Sequence, residues 1–126
     1  MYYVIPKVIL FREEHSPRTL VKKVDFISAP GVSKESLYRP GGPKYLLTNK
    51  ALFSFNKNKK RFCLEKIAPN INQGEIKKIT GFEYDLNSSI NNFILPSKQR
   101  LNILRKIIAP MVSEFYPHFA KKIWSN

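Results

Sequence analysis

The stretch GGPKYLLTNKALFSF, Gly41 to Phe55, decides how this chain folds. Two glycines and a proline open it, and the mostly apolar run that follows is broken only at Thr48, Asn49 and Lys50. Tyr45 to Asn49 reads as a short strand, and Ala51 to Phe55 continues or follows it. Asn56 to Lys60 is a polar tip, after which Arg61 to Ile67 returns as a strand through Phe62, Leu64 and Ile67. The pattern predicts a hairpin with a basic tip. Gly41 and Gly42 permit backbone conformations or close approaches at its entry that a side chain would block.

Working outward, Tyr2 to Phe11 is rich in Val, Ile and Tyr and alternates little after Val8. That predicts a strand covered on both faces, inside a sheet. Glu13 to Pro17 form a polar break, and Thr19 to Ser28 reads as a second extended run before the Pro30-Gly31 turn. Gly31 to Pro43, with three of the five glycines, is expected as an exposed connection. Beyond the hairpin, Asn72 and Glu75 make a capping box for a helix of about two turns. Ile76 and Ile79 share one face, and Gly81 is placed to end it. Phe82 to Leu86 reads as a strand and Asn87 to Asn92 as a polar linker. Ser97 then caps a longer helix with Leu101, Leu104 and Ile108 on one stripe, stopped by Pro110. A last helical pattern, Val112, Phe115, Phe119 and Ile123, is interrupted by Pro117. The order of elements predicts an α/β fold, an open mixed sheet with flanking helices. Its domain is expected over residues 1–110, with a basic and aromatic C-terminal extension at 111–126.

Composition bounds what such a fold does. With 126 residues, 43% hydrophobic and 25% charged, the chain holds enough apolar material for one packed domain. No apolar run approaches the roughly 20 residues of a spanning helix, so no membrane partner is expected. The lone Cys63 has no partner for an internal disulfide, which fits a cytoplasmic location, and it reads as a small core residue. Twenty-two Lys and Arg against nine Asp and Glu give a net charge of +13. A charge of that size attracts polyanions. The lysines are scattered, however, and no zinc spacing, RNA-recognition aromatic motif or helix-turn-helix pair accompanies them. A solvated basic surface is the primary reading, and a non-catalytic module binding RNA or another polyanion is the alternative.

Four blocks carry a resemblance: EEHSPRTLVKKVDFISAPG (Glu13 to Gly31), GGPKYLLTNKALFSFNKNKKRFCLEKIAP (Gly41 to Pro69), EIKKITGFEYDL (Glu75 to Leu86) and LPSKQRLNILRKI (Leu95 to Ile107). In this order they resemble the C-terminal half of the β subunit of class I coenzyme A transferases, in its glutaconate CoA-transferase form. That family has an E-H or K-H before a strand ending V-D-F, a G-G-P entering a V-T-N strand and an F-x-F hairpin, a helix closing T-G-F, and a later helix carrying L-R. Here Thr80-Gly81-Phe82 and Leu104-Arg105 fill the last two. The chain departs at Ala68-Pro69-Asn70, where relatives have H-P-G, and at Ala109-Pro110, where they have D-P.

The resemblance implies a cytoplasmic subunit that exchanges CoA between an acyl-CoA and a carboxylic acid. In the family, a glutamate attacks the thioester and a second carboxylate resolves the glutamyl-CoA intermediate, which divides one difficult exchange into two easier steps. The nucleophile and the Gly-rich loop that stabilises its oxyanion are expected outside this chain, N-terminal to the matched blocks. Neither Glu13 nor Glu14 stands in the nucleophile motif. The implied partners are an N-terminal β-subunit segment and an α subunit in a hetero-oligomer. CoA esters are the implied substrates, with no covalently bound cofactor and no metal. A CoA-ester hydrolase subunit is a further alternative, because some members of the superfamily work without the glutamate. The candidate substrate contacts are Glu14 and His15, at the carboxyl end of the first strand, where open α/β sheets bind ligands. Lys44 and Arg39, beside the Gly-rich turn, are candidates for CoA phosphates. A Cys63 and His15 pair has no supporting spacing, and His118 receives no role.

Overall fold

The computed structural model describes residues 5–33, 38 and 40–124. The chain gathers into two compact units, residues 1–93 and 94–126. The first holds a five-stranded mixed sheet in sequential order: β1 (Val8–Arg12), β2 (Pro43–Thr48), β3 (Ala51–Asn56), β4 (Arg61–Ile67) and β5 (Tyr84–Asn92). β1 runs parallel to β2, β2 to β4 form an antiparallel meander, and β5 returns parallel to β4. Helix α1 (Gln73–Ile79) makes the crossover between β4 and β5.

The opening stretch folds as its residues dictate. Gly42 adopts φ +117, a conformation only glycine takes freely. Its N–H donates to the Ile5 carbonyl at 3.2 Å, and its own carbonyl accepts from Val8 N–H at 3.1 Å. The turn therefore ties β1 to the start of β2. Lys57, from the basic tip, donates to the carbonyls of Pro40 and Gly41.

One face of the sheet holds the core. Phe53 and Leu64 are fully buried, with Leu46, Ala51 and Ile67 around them. Phe53 packs edge-on against Phe62, Phe82 and Tyr84, at 6.3, 5.9 and 5.2 Å between centroids. Edge-to-face pairs of this kind add to the value of the buried area. α1 covers this face with Ile76, and its capping box is formed by Asn72 and Glu75 as expected.

Several expectations are corrected. Thr19 to Ser28 forms no strand: Leu20 alone is buried, and its carbonyl is taken by Gly81 N–H at 2.6 Å rather than by a sheet ladder. Gly81 does not end α1 by a left-handed turn. A Cβ there would stand 2.3 Å from the Leu20 carbonyl oxygen, so close backbone approach demands the glycine. Asn87 to Asn92 is the second half of β5, not a linker. Parallel pairing with β4 supplies its backbone partners, and Asn87 donates to Glu65 across the strands. Cys63 is half-buried on the face away from the core, because strand alternation gives Phe62 and Leu64 the inner positions. Finally, β1 is the edge of the sheet rather than an interior strand, and Ile9 and Phe11 are exposed.

In the second unit, Ser97 caps α2 (Lys98–Ile103) as read. Pro110 does not stop the helix. A π-helical stretch, Leu104–Ile108, lets Ala109 N–H reach back five residues to the Leu104 carbonyl. α3 (Ala109–Phe115) continues with Pro110 in its first turn, where no intrahelical N–H donor is needed. Pro117 likewise starts α4 (Pro117–Trp124) instead of weakening it.

Candidate functional site

The sequence Glu14-His15-Ser16-Pro17-Arg18-Thr19 makes a compact turn after β1. Thr19 and Leu20 N–H groups both donate to the Ser16 carbonyl, at 3.1 and 2.9 Å. The turn sends His15 inward and Glu14 outward.

His15 is 3% exposed and lies between the end of β2 and the end of α1. Its Nδ1 is 2.8 Å from Thr48 Oγ1, and its Nε2 is 2.9 Å from Thr80 Oγ1. Thr80 donates its hydroxyl proton to the Ile76 carbonyl at 2.7 Å, so it accepts from His15 Nε2–H. Thr48 Oγ1 already accepts from the N–H groups of Lys50 and Ala51. Its own proton goes to His15 Nδ1, the shorter of its two options, the other being the Ala51 carbonyl at 3.1 Å. Every proton in the chain Thr48 to His15 to Thr80 to Ile76 is then used once, and the imidazole is neutral with Nε2 protonated. Burial, followed by the charge of Lys50, lowers its pKa to about 4. Both nitrogens are engaged, and the ring lies tilted at 37° to that of Phe53, with 6.1 Å between centroids. His15 is a clasp that fastens three elements, with no face open to a substrate. Cys63 lies on the opposite face of the sheet, so the two do not form a catalytic pair.

Glu14 is half-buried, and both carboxylate oxygens are occupied. Ser16 Oγ donates to one at 2.6 Å and Arg18 to the other at 2.5 Å. The Ser16 hydrogen bond and then Arg18 hold its pKa below the ordinary value. It is a fixed negative group at the surface.

Lys44 stands at the opposite end of β2. Four residues at about 3.3 Å each separate it from Thr48, roughly 13 Å along the strand, so it does not converge with Glu14 and His15. It lines a broad open groove of about 800 Å³ on the sheet face away from the core. Lys7, Lys57, Ser54, Glu65 and Asn87 line the same groove. Glu65 is its organising group: Ser54 Oγ and Asn87 Nδ2 donate to its two oxygens, each at 2.5 Å, joining β3, β4 and β5. Arg39 lies outside the described residues.

Thr48, Thr80 and Glu65 have no site role in the sequence reading, although Thr80 belongs to the matched Thr80-Gly81-Phe82 motif. The signal for Glu65 was strand alternation, which puts Arg61, Cys63 and Glu65 on one face. For the two threonines there was no local signal, since 33 and 65 residues separate them from His15. Among the described residues, no group of three or more His, Cys, Asp or Glu side chains gathers as a metal site. No helix among them is long and apolar enough to cross a membrane.

Known proteins bear on what this scaffold is. No protein-family model matches the chain. It is 26% identical over 104 residues to the B subunit of glutaconate CoA-transferase from Acidaminococcus fermentans, a match covering 77% of this chain and 39% of that protein. The crystal structure of glutaconate coenzyme A-transferase from the same organism superposes with a TM-score of 0.73 at 24% identity, covering 88% of this chain and 45% of that one. Rhodococcus jostii IpdAB superposes at 0.71, with 19% identity and coverage of 82% and 44%. The decarboxylase AibA/AibB shares the fold more loosely, at 0.58 and 17% identity over 77% of this chain and 36% of that one. The chain thus spans less than half the length of each of these proteins. In sequence it is similar to a B subunit of glutaconate CoA-transferase, and it shares the fold of these solved structures.

Proposed function

We propose that this chain is the C-terminal part of a CoA-transferase B subunit, acting in the cytoplasm as the supporting wall of a thioester-exchange site. The observation that carries this reading is the agreement of two measures on one protein: the 26% sequence match and the 0.73 superposition both fall on the glutaconate enzyme. The reaction is transfer of CoA from an acyl-CoA to a carboxylic acid through a glutamyl-CoA thioester. The attacking glutamate and the Gly-rich loop come from the part of the B subunit that the match does not cover, and an α subunit completes the hetero-oligomer. The names of the relatives, a B subunit and an AB pair, support that assembly.

Within it, the residues of this chain position rather than react. The His15 clasp fixes the turn after β1 against β2 and α1, so the carboxyl end of β1 is held rigid where the catalytic segment would meet it. Lys44, with Lys7 and Lys57 on the same groove, is the group proposed to meet the phosphates of CoA, because their positive charge suits a polyphosphate. Glu14, already neutralised by Arg18, is proposed to flank the acyl end.

The test is reconstitution. The purified chain alone is expected to show no CoA exchange between an acyl-CoA and a free carboxylate. Exchange appears when the remaining B-subunit polypeptide and an α subunit are supplied. Assembly of all three without exchange of any acyl-CoA overturns the reading.

A further inference from the structure

The second unit leaves an apolar residue exposed at every fourth position: Ile103, Ile107, Met111 and Phe115, then Phe119 and Ile123. Along a regular α-helix that spacing drifts by about 40° per step, because four residues exceed one turn of about 3.6. The π stretch Leu104–Ile108 takes more residues per turn and offsets part of the drift, so the first four stay in one narrow stripe. Ile107, Met111 and Phe115 are 56%, 60% and 74% exposed, so the stripe faces solvent rather than a core. α4 repeats the pattern about its own axis. Phe119 and Ile123 share one side, with Trp124 edge-on to Phe119 at 5.9 Å between centroids, and His118, Lys121 and Lys122 lie on the other. Ala120 is the buried residue between them.

The charge of the same unit defines the occupant. Residues 94–126 carry six Lys and Arg against Glu114 alone, and Lys98, Arg100, Arg105, Lys106 and Lys121 are exposed. A protein partner would match the apolar stripe but not the lysines, which are depleted at protein interfaces. A nucleic acid would match the charge and leave Ile107, Met111 and Phe115 in water. An anionic bilayer surface takes both, because apolar side chains enter the acyl boundary while long basic side chains extend to the headgroups. A helix that lies flat in the interface does not need the length of a spanning one.

We propose that the second unit adsorbs to anionic lipid surfaces, with its apolar stripe in the acyl boundary and its lysines and arginines at the headgroups. This stands independently of the CoA-transferase reading, since every group it uses belongs to residues 94–126.

The experiment mixes the full chain with phosphatidylcholine vesicles, with and without phosphatidylserine. It reads co-sedimentation together with the emission of Trp124, the single tryptophan of the sequence. Phosphatidylserine should tighten binding about tenfold or more, added salt should weaken it, and Trp124 emission should move to shorter wavelength on binding. The double variant Met111→Ser with Phe115→Ser should weaken binding about tenfold or more, with unchanged circular dichroism because both side chains are exposed. Reversing charge, Lys121→Glu with Lys122→Glu, should weaken it by a similar factor. Phe11→Ser, in the first unit, should leave it within about twofold. Equal binding with and without phosphatidylserine overturns the proposal. So does binding that the serine pair leaves unchanged, which would mark a general attraction between a basic protein and any polyanion. A loss with Phe11→Ser as large as with the serine pair overturns it too, as does self-association through the stripe in place of vesicle binding. None of these outcomes touches the reconstitution test of CoA exchange.

Discussion

Two ends of the same short segment behave in opposite ways. At residues 9–11 the apolar side chains of β1 meet solvent, and among the described residues the strand pairs with β2 alone. A few residues later, His15 is buried with both ring nitrogens bonded and every proton assigned. Apolar residues are left at a surface when something else covers them, whereas buried polar groups must find partners in place. The contrast separates apolar groups left at the surface from a polar group whose partners all lie within the chain.

The largest effect that sharpens this contrast is expected at Phe53, which is fully buried among the rings of Phe62, Phe82 and Tyr84. Phe53→Ala should cost about 3–5 kcal/mol in urea unfolding. A loss below about 1 kcal/mol would show that the core is not where the structure puts it.

Next comes the pH dependence of the clasp. His15 has a folded pKa of about 4 against 6.5 when unfolded. Between these values the unfolded chain binds the extra proton, so stability rises with pH. The contribution is complete above pH 6.5 and is lost as pH falls toward 4, by at most about 3 kcal/mol. Unfolding curves across that window should show the slope in the unaltered chain and a flattened one in His15→Gln. An identical slope in the two would place the titration elsewhere.

A smaller loss, about 1 kcal/mol, is expected for Asn72→Ala, which removes the side-chain acceptor for Glu75 N–H in the capping box. Thermal unfolding measures it, and an unchanged midpoint would mean that α1 is held by Ile76 alone. The smallest effect completes the comparison: Phe11→Ser should leave the isolated chain within about 0.5 kcal/mol of its original stability, because exposed positions contribute little. A loss as large as that of Phe53→Ala would show that β1 is already covered.

Much of this was legible from local chemistry. The Gly-Gly-Pro entry, the two hairpin strands with their basic tip, and the Asn72 and Glu75 capping box all rest on residues within a few positions of one another. Their conformations follow from turn chemistry, alternation and capping. The prolines at 110 and 117 misled because the rule that proline breaks helices assumes an unbroken α register. A π turn, or a fresh helix start, removes the conflict. Asn87 to Asn92 misled because polar residues read as loop, although one face of β5 meets solvent and needs no apolar groups.

What the sequence determined by itself was the hairpin, the capped helix α1, the α/β class and the family likeness, since these reside in patterns of neighbouring residues. The tertiary structure alone decided that His15 is buried between Thr48 and Thr80, that Lys44 lies at the other end of β2, and that β1 pairs with β2 alone among the described residues. Each of these depends on groups far apart in the chain, such as Thr48 and Thr80 around one imidazole, and only folding brings such groups into the range where hydrogen bonds and burial act.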